Sequence, residues 1–240
     1  MKKLYLLLTL ILLFSQFDMA QINSVSAYAD YSIGLSKRLT ITNADAVGGA
    51  VKIKFNIIGN FNAGIVGGYK LYSLNEPDVL KSWGWQFWTD RYYNKIVSDL
   101  QADPNLSVEI GAVQKMDIIP LMLFAGYEIA VTDNFIIAPS AGLGIYFYTR
   151  RMFATENWSK NFPEANYVFT YSYRNFAPNK KGNPVFVNTN LDFEYKISDN
   201  TGIYSGINFN FIIPTENSMG YSAFPFENEI SIKGGIIIFY

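Results

Sequence analysis

Apolar side chains recur at every second position in eight separate stretches of this chain, and the positions between them are small, polar or charged. In one stretch Val185, Val187, Thr189, Leu191, Phe193, Tyr195 and Ile197 interleave with Asn188, Asn190, Asp192, Glu194 and Lys196. A period of two belongs to strands, because a helix brings the same face round only every three to four residues. The other stretches begin near Val25, Val47, Phe61, Ile119, Phe135, Ile203 and Ile230, and none carries Lys, Arg, Asp or Glu on its apolar face. Each is about eleven residues long, enough for a tilted strand to cross the hydrocarbon of a bilayer. Pro120, Pro139 and Pro214 fall within these stretches. Each proline removes a ladder donor, which predicts bulges near the rims.

The links alternate as strictly as the residues do. Only "IGN", "VTDN" and "SDNT" separate the second stretch from the third, the fourth from the fifth and the sixth from the seventh. The remaining links, residues 37–46, 75–106, 151–183 and 216–228, are long. Strands that cross lipid must leave no backbone group unpaired, and a closed ring is the arrangement that achieves this. The pattern therefore predicts an all-β chain: an eight-stranded antiparallel up-and-down transmembrane β-barrel, with short turns at one end and long loops at the other.

The first twenty residues have a different character. Lys2 and Lys3 precede a predominantly apolar run over residues 4–14, too short to span a bilayer and flanked as in a secretory signal peptide. Residues 1–20 are expected to be that signal, with cleavage after Ala20. Asp18 stands where a small residue is preferred, so a cut near Ser15 stays open. Residues 21–240 form the barrel domain. With no cysteine there is no disulfide framework and no thiolate metal site. The net charge of −1 argues against a nucleic-acid partner. Aromatics at 17 % and charged residues at 16 % fit a chain that presents much apolar surface.

The chain ends "GGIIIFY", on the eighth alternating stretch, with Tyr240 as its last residue. The signal segment, the alternating strands and this aromatic end resemble the small outer-membrane β-barrel proteins of Gram-negative bacteria, the OmpA/OmpX-type eight-stranded barrels, over residues 24–240. The resemblance implies short turns and both chain ends on the periplasmic side, long loops outside the cell, and location in the outer membrane. It also implies that the closing strand, ending in Phe239 and Tyr240, is the assembly signal read by the barrel-assembly machinery. Phe239 adds a second aromatic, on the lumen face, which departs from the pattern.

The polar positions of the strands point into the lumen. They carry Lys52, Lys54, Lys70, Arg150, Lys196 and Lys233 against Asp30, Glu128, Asp192, Glu194 and Glu229. Charges buried so densely must pair, so these residues are expected to form an ion-pair network that plugs the barrel, with Asn188, Asn190, Asn208 and Asn210 between the ions. A narrow ion path is the alternative. Gly142 and Gly144 on the lumen face make room for a bulky neighbour.

Catalysis finds little support. The chain has no histidine, which removes Ser-His-Asp arrangements and histidine metal sites together. Asp192 and Glu194 share a face, but among lysines on the same wall they read as ion-pair partners. No catalytic, cofactor-binding or metal-binding residue is assigned, and no cofactor is expected.

Any specificity is left to the loops. Trp83, Trp85, Trp88 and Tyr92 lie in the second and Trp158 in the third, all outside the predicted strands. "NEP" and a loosely helical spacing predict a short helix between Asp78 and Gln101. Tyr167–Phe176 alternates and could extend the strands as a hairpin. These aromatic rings either pack together as a cap or form a recognition surface for an extracellular protein or glycan. Three function classes stay open: a non-enzymatic structural or interaction barrel, a narrow-channel transporter or subunit of a larger envelope machine, and a secreted soluble barrel with its apolar face turned inward on a ligand.

Overall fold

The computed structural model describes residues 22–215 and 218–240, so the predicted signal segment lies outside it. The strands are β1 (Ile22–Lys37), β2 (Asn43–Ile58), β3 (Phe61–Asn75), β4 (Leu106–Tyr127), β5 (Ile129–Ala130), β6 (Phe135–Phe162), β7 (Tyr167–Phe176), β8 (Lys180–Gly182), β9 (Val185–Lys196), β10 (Thr201–Ile212) and β11 (Phe226–Phe239). Hydrogen-bonded neighbours run β4-β3-β2-β1-β11-β10-β9-β6, and β6 pairs back onto β4. Eight strands thus close into an antiparallel ring with no open edge. β5, β7 and β8 are additions hung on β6.

The alternation sorts side chains as a barrel in lipid requires. Ile232, Val47 and Leu123 on the outer face are 65 %, 64 % and 63 % exposed, whereas Lys52, Lys54, Asp192 and Glu229 on the inner face are buried. A soluble barrel binding an apolar ligand needs the reverse, so that alternative is set aside. The terminal stretch closes the ring: Ser24 pairs with Phe239, and the Tyr240 amide donates to the Asn23 carbonyl at 3.0 Å. Both ends of the described chain therefore lie at the turn end.

Several expectations need correction. β4 and β6 are 22 and 28 residues long rather than about eleven. They stay paired from Gly126↔Ser140 to Leu106↔Lys160. In their upper halves the amphipathy inverts. Gln114, Met116, Ile118, Met152 and Ala154 are buried inside, and Lys115, Asp117 and Arg151 point out. Water has replaced lipid as the outer solvent there, so the polar face turns outward. The first link is also short, residues 38–42, with Leu39 and Thr40 in left-handed conformation at φ 55° and 60°. Tyr167–Phe176 forms the expected hairpin, paired with β6. The predicted helix appears as three short ones, α1 (Val79–Ser82), α2 (Gln86–Arg91) and α3 (Val97–Ala102), with a π-helical turn (Tyr92–Ile96) joining the last two.

The prolines do not cause bulges. Register runs unbroken through Pro120↔Tyr146 and Pro139↔Leu191, and Pro214 lies beyond the end of β10. In an antiparallel ladder a residue bonds to one neighbour only, and the missing donor of Pro120 falls on the β3 side, where pairing skips from Gly67↔Leu121 to Lys70↔Ile118. The register shifts lie instead at Ile22/Ser24 and Asn56/Ile58.

Ile232 stands midway along β11, between Tyr31 and Ile207 on the neighbouring strands. Ile232→Lys is expected to destabilise the barrel by about 2–4 kcal/mol in urea titrations from lipid vesicles. An unchanged midpoint would mean that this face does not meet hydrocarbon.

Candidate functional site

The lumen is built on rungs that cross the ring. Cross-strand register places Lys70, Gly48, Asp30, Lys233, Gly206 and Asp192 side by side on consecutive strands from β3 round to β9. The glycines let charged neighbours meet across them. A Cβ on Gly48 would come within 2.8 Å of Lys70 Cγ, and one on Gly206 within 2.9 Å of Lys233 Cε. Lys70 thereby reaches Asp30 at 3.0 Å and Lys233 reaches Asp192 at 2.8 Å.

Other pairs cross the lumen itself. Lys52 on β2 meets Asp192 on β9 at 2.6 Å, and Lys54 meets Glu194 at 2.9 Å and Glu128 at 2.5 Å. Lys70 also pairs with Glu229 on β11. Asp192 thus holds two lysines and Glu194 a third, which leaves neither carboxylate free for acid–base work. The asparagines fill the spaces: Asn190 donates to Asp192 at 2.7 Å, Asn188 to Asn210 at 2.7 Å and also to Asn208, and Asn210 donates to the Tyr146 hydroxyl at 2.7 Å. Lys196 belongs to none of these pairs; its ammonium lies 5.1 Å from the centre of the Phe239 ring at the turn end. A cavity of 40 Å³ lined by Asp30, Asn208, Asn210 and Lys233 has room for about one water.

Above the ions lies an aromatic tier. Tyr146 stacks on Phe186 at 4.2 Å between ring centres, and Phe224 packs on Phe226 at 4.8 Å. Gly144 admits the Phe186 ring, since a Cβ there would sit 2.7 Å from its Cε1. The Tyr146 hydroxyl donates to Glu229 at 3.0 Å and so ties the aromatic tier to the ion network. Higher still, Arg150 is buried and pairs at 2.6 Å with Glu76, while its Nε donates to Gln114. Sequence reasoning missed Glu76 because it lies just past β3 in a loop, outside any alternating stretch.

The loops form a packed cap. Trp83, Trp85, Trp88 and Trp158 are all buried, in one cluster with Val79, Ile96, Met152 and Ala154. Trp158 lies on β6 rather than in a loop. Trp83 donates to the Pro178 carbonyl at 3.1 Å and Trp158 to Glu156 at 2.9 Å. These four indoles pack inward instead of presenting the expected outward aromatic surface, and they hold α1, α2 and the π turn against the extended β4–β6 ladder. Tyr92, at 37 % exposed, is the only member of the expected aromatic set at the surface. Other exposed rings of the loop end include Phe87, Tyr93, Tyr167, Phe169, Tyr173 and Phe176. Glu156 anchors the cap, accepting Arg91 through Nε and through Nη2 at 2.6 Å, and Asn175 at 2.6 Å. Burial would raise its carboxyl, but hydrogen bonds from Arg91 and Trp158 and the Arg91 charge outweigh that and hold it below the usual glutamate range.

Comparison with known proteins gives three findings. The family model described as "Domain of unknown function (DUF2715)" matches residues 105–237. No curated protein matches the chain in sequence. Among solved structures, the chain is similar to Neisserial surface protein A at 10 % identity and a TM-score of 0.45, covering 90 % of this chain and 96 % of that one. A major outer membrane protein from Thermus thermophilus gives 9 % identity, a TM-score of 0.45 and coverage of 90 % and 99 %. The outer membrane protein OprG from Pseudomonas aeruginosa gives 10 %, 0.43, and coverage of 90 % and 93 %.

Asp192 is the residue on which two lysines depend. Asp192→Asn leaves both buried ammonium groups short of a counter-charge and is expected to cost about 3–5 kcal/mol in the same vesicle titration. A loss below about 1 kcal/mol, the scale of an exposed pair, would mean that water reaches these charges.

Proposed function

Because the chain belongs to the family described as a domain of unknown function (DUF2715), whose description assigns no activity, we propose its role from its own geometry: a non-enzymatic integral barrel of the outer membrane that works at the cell surface through its loops. The observation that carries this reading is the contrast between an exterior of exposed apolar side chains and a lumen crossed by paired charges. The exterior calls for lipid as a partner. The crosslinked lumen supports a plug rather than a path, with the aromatic tier as a second seal. The absence of histidine supports a non-enzymatic role. The capped loop end, with Tyr93, Tyr167, Tyr173 and Phe176 exposed, supports contact with an extracellular protein or glycan.

Reconstituted into planar bilayers, the protein is expected to give no steady large conductance. Sustained open-channel currents would favour the transporter reading instead.

Phe239 and Tyr240 are proposed to serve assembly. Their backbones make the last rungs with β1, and Phe239 packs with Ile237 and Tyr204 inside the turn end. Cells making the chain without these two residues should carry much less folded barrel in the outer membrane, scored by heat-dependent gel mobility. Undiminished levels would assign the terminal pair no part in recognition by the assembly machinery.

A further inference from the structure

All four links at the loop end meet in one place. A cleft of 410 Å³ is lined by Thr40 from the first, Glu76 and Trp83 from the second, Lys180 from the third and Ser222 from the fourth, with Arg150 on the β6 wall. Contributions from every side put it over the barrel mouth rather than over the surrounding lipid.

The charges in this cleft do not balance. Glu76 is already engaged: Oε1 accepts Ser82 at 2.7 Å, and Oε2 accepts Gln114 at 3.0 Å and Arg150 at 2.6 Å, while the Thr40 hydroxyl, 3.1 Å from Oε1, has the Leu39 carbonyl nearer at 2.6 Å. Lys180 has no ion-pair partner among the described residues. Its ammonium rests on the Trp83 ring, 4.4 Å from the centroid, and the Arg150 guanidinium lies 5.0 Å from the same ring. Two cations therefore share one indole, and the one carboxylate of the cleft is paired with Arg150. Burial, and after it the charge of Arg150, hold the Lys180 ammonium below the ordinary lysine pKa. Like charges packed with too little counter-charge disfavour the charged form in this way. The wall is strained as well, since Leu39 and Thr40 both hold left-handed backbone at its rim, and such conformations persist only where the surroundings impose them.

We propose that this cleft binds a small oxyanion, of the phosphate or carboxylate class, drawn from the solution outside the cell. An oxyanion beside Lys180 supplies the missing negative charge to an ammonium whose position is fixed by the Trp83 ring, with the Arg150 charge behind it adding attraction although its own donors are held by Glu76, Gln114 and the Ala223 carbonyl. The Ser222 hydroxyl, exposed on the cleft wall, is free to turn toward it. This gives the surface-interaction reading a chemical class of ligand. It stands whether or not the lumen conducts, because binding and conductance are read separately.

The test uses the full mature chain in phosphatidylcholine nanodiscs, titrated with inorganic phosphate at constant ionic strength and followed by tryptophan fluorescence. Wild type is expected to show a saturable change. Lys180→Met should weaken it by about tenfold or more, the equivalent of one lost charge-assisted contact of about 1.4 kcal/mol. Glu76→Gln, which removes the competing negative charge, should tighten binding. Lys181→Met, at an exposed neighbour, should leave it unchanged. Equal weakening by Lys180→Met and Lys181→Met, or no saturable signal in wild type, would overturn the proposal. Phosphatidylglycerol added to the nanodiscs should not compete; competition would assign the cleft to a lipid headgroup and overturn its placement over the mouth.

Discussion

Everything in this structure depends on one constraint: a backbone hydrogen bond that is not made to another strand cannot be made to lipid. An isolated strand in hydrocarbon leaves polar groups unpaired along its whole length, each at a cost of several kcal/mol. The ring from β1 through β11 and back removes that cost only when it is complete, so the closing pair of strands matters as much as any other. Once the ring is closed, the pleat decides the rest. Alternate side chains face either the bilayer or the lumen, and the two surroundings demand opposite chemistry.

The lumen then presents its own problem. A ring of eight strands leaves a space that side chains can fill, and here many of them are ionised. Burying one charge alone is prohibitive, whereas lysines matched to carboxylates across the lumen satisfy one another. Gly48 and Gly206 make this possible by leaving no Cβ between charges two strands apart. The tyrosines join the arrangement from above, with the Tyr146 and Tyr204 hydroxyls donating to Glu229 and Asp192. Polar and aromatic packing are one continuous filling.

Much of this is legible in the amino-acid order alone. The period of two identifies the strands, the absence of charge on one parity identifies the face toward lipid, and the link lengths give the order of turns and loops. What stays hidden follows from context that a strand does not carry in its own residues. The upper halves of β4 and β6 alternate as regularly as the lower, but with apolar residues such as Met116 and Met152 turned inward. A search for apolar residues on the outward parity stops where the outer solvent changes. Arg150 can be placed in the lumen by parity, yet its partner Glu76 cannot, because loop residues have no parity. The tryptophans mislead for a related reason: a dense aromatic loop looks the same in sequence whether its rings face water or one another, and only the packing of Trp83, Trp88 and Trp158 on the β6 extension decides between them.

The continuity of β6 has a mechanical meaning. One unbroken strand of 28 residues forms part of the membrane wall, carries Arg150 at the mouth, pairs with the hairpin strand β7 and supplies Trp158 to the cap. Beyond Tyr146 it runs on for on the order of 50 Å of extended chain, stiffened on both edges by β4 and β7. It is a mast without a hinge. Phe162 and Tyr167, exposed at its tip, are held at a fixed standoff from the bilayer, and a force applied there passes as shear along the β4–β6 ladder into the wall of the barrel.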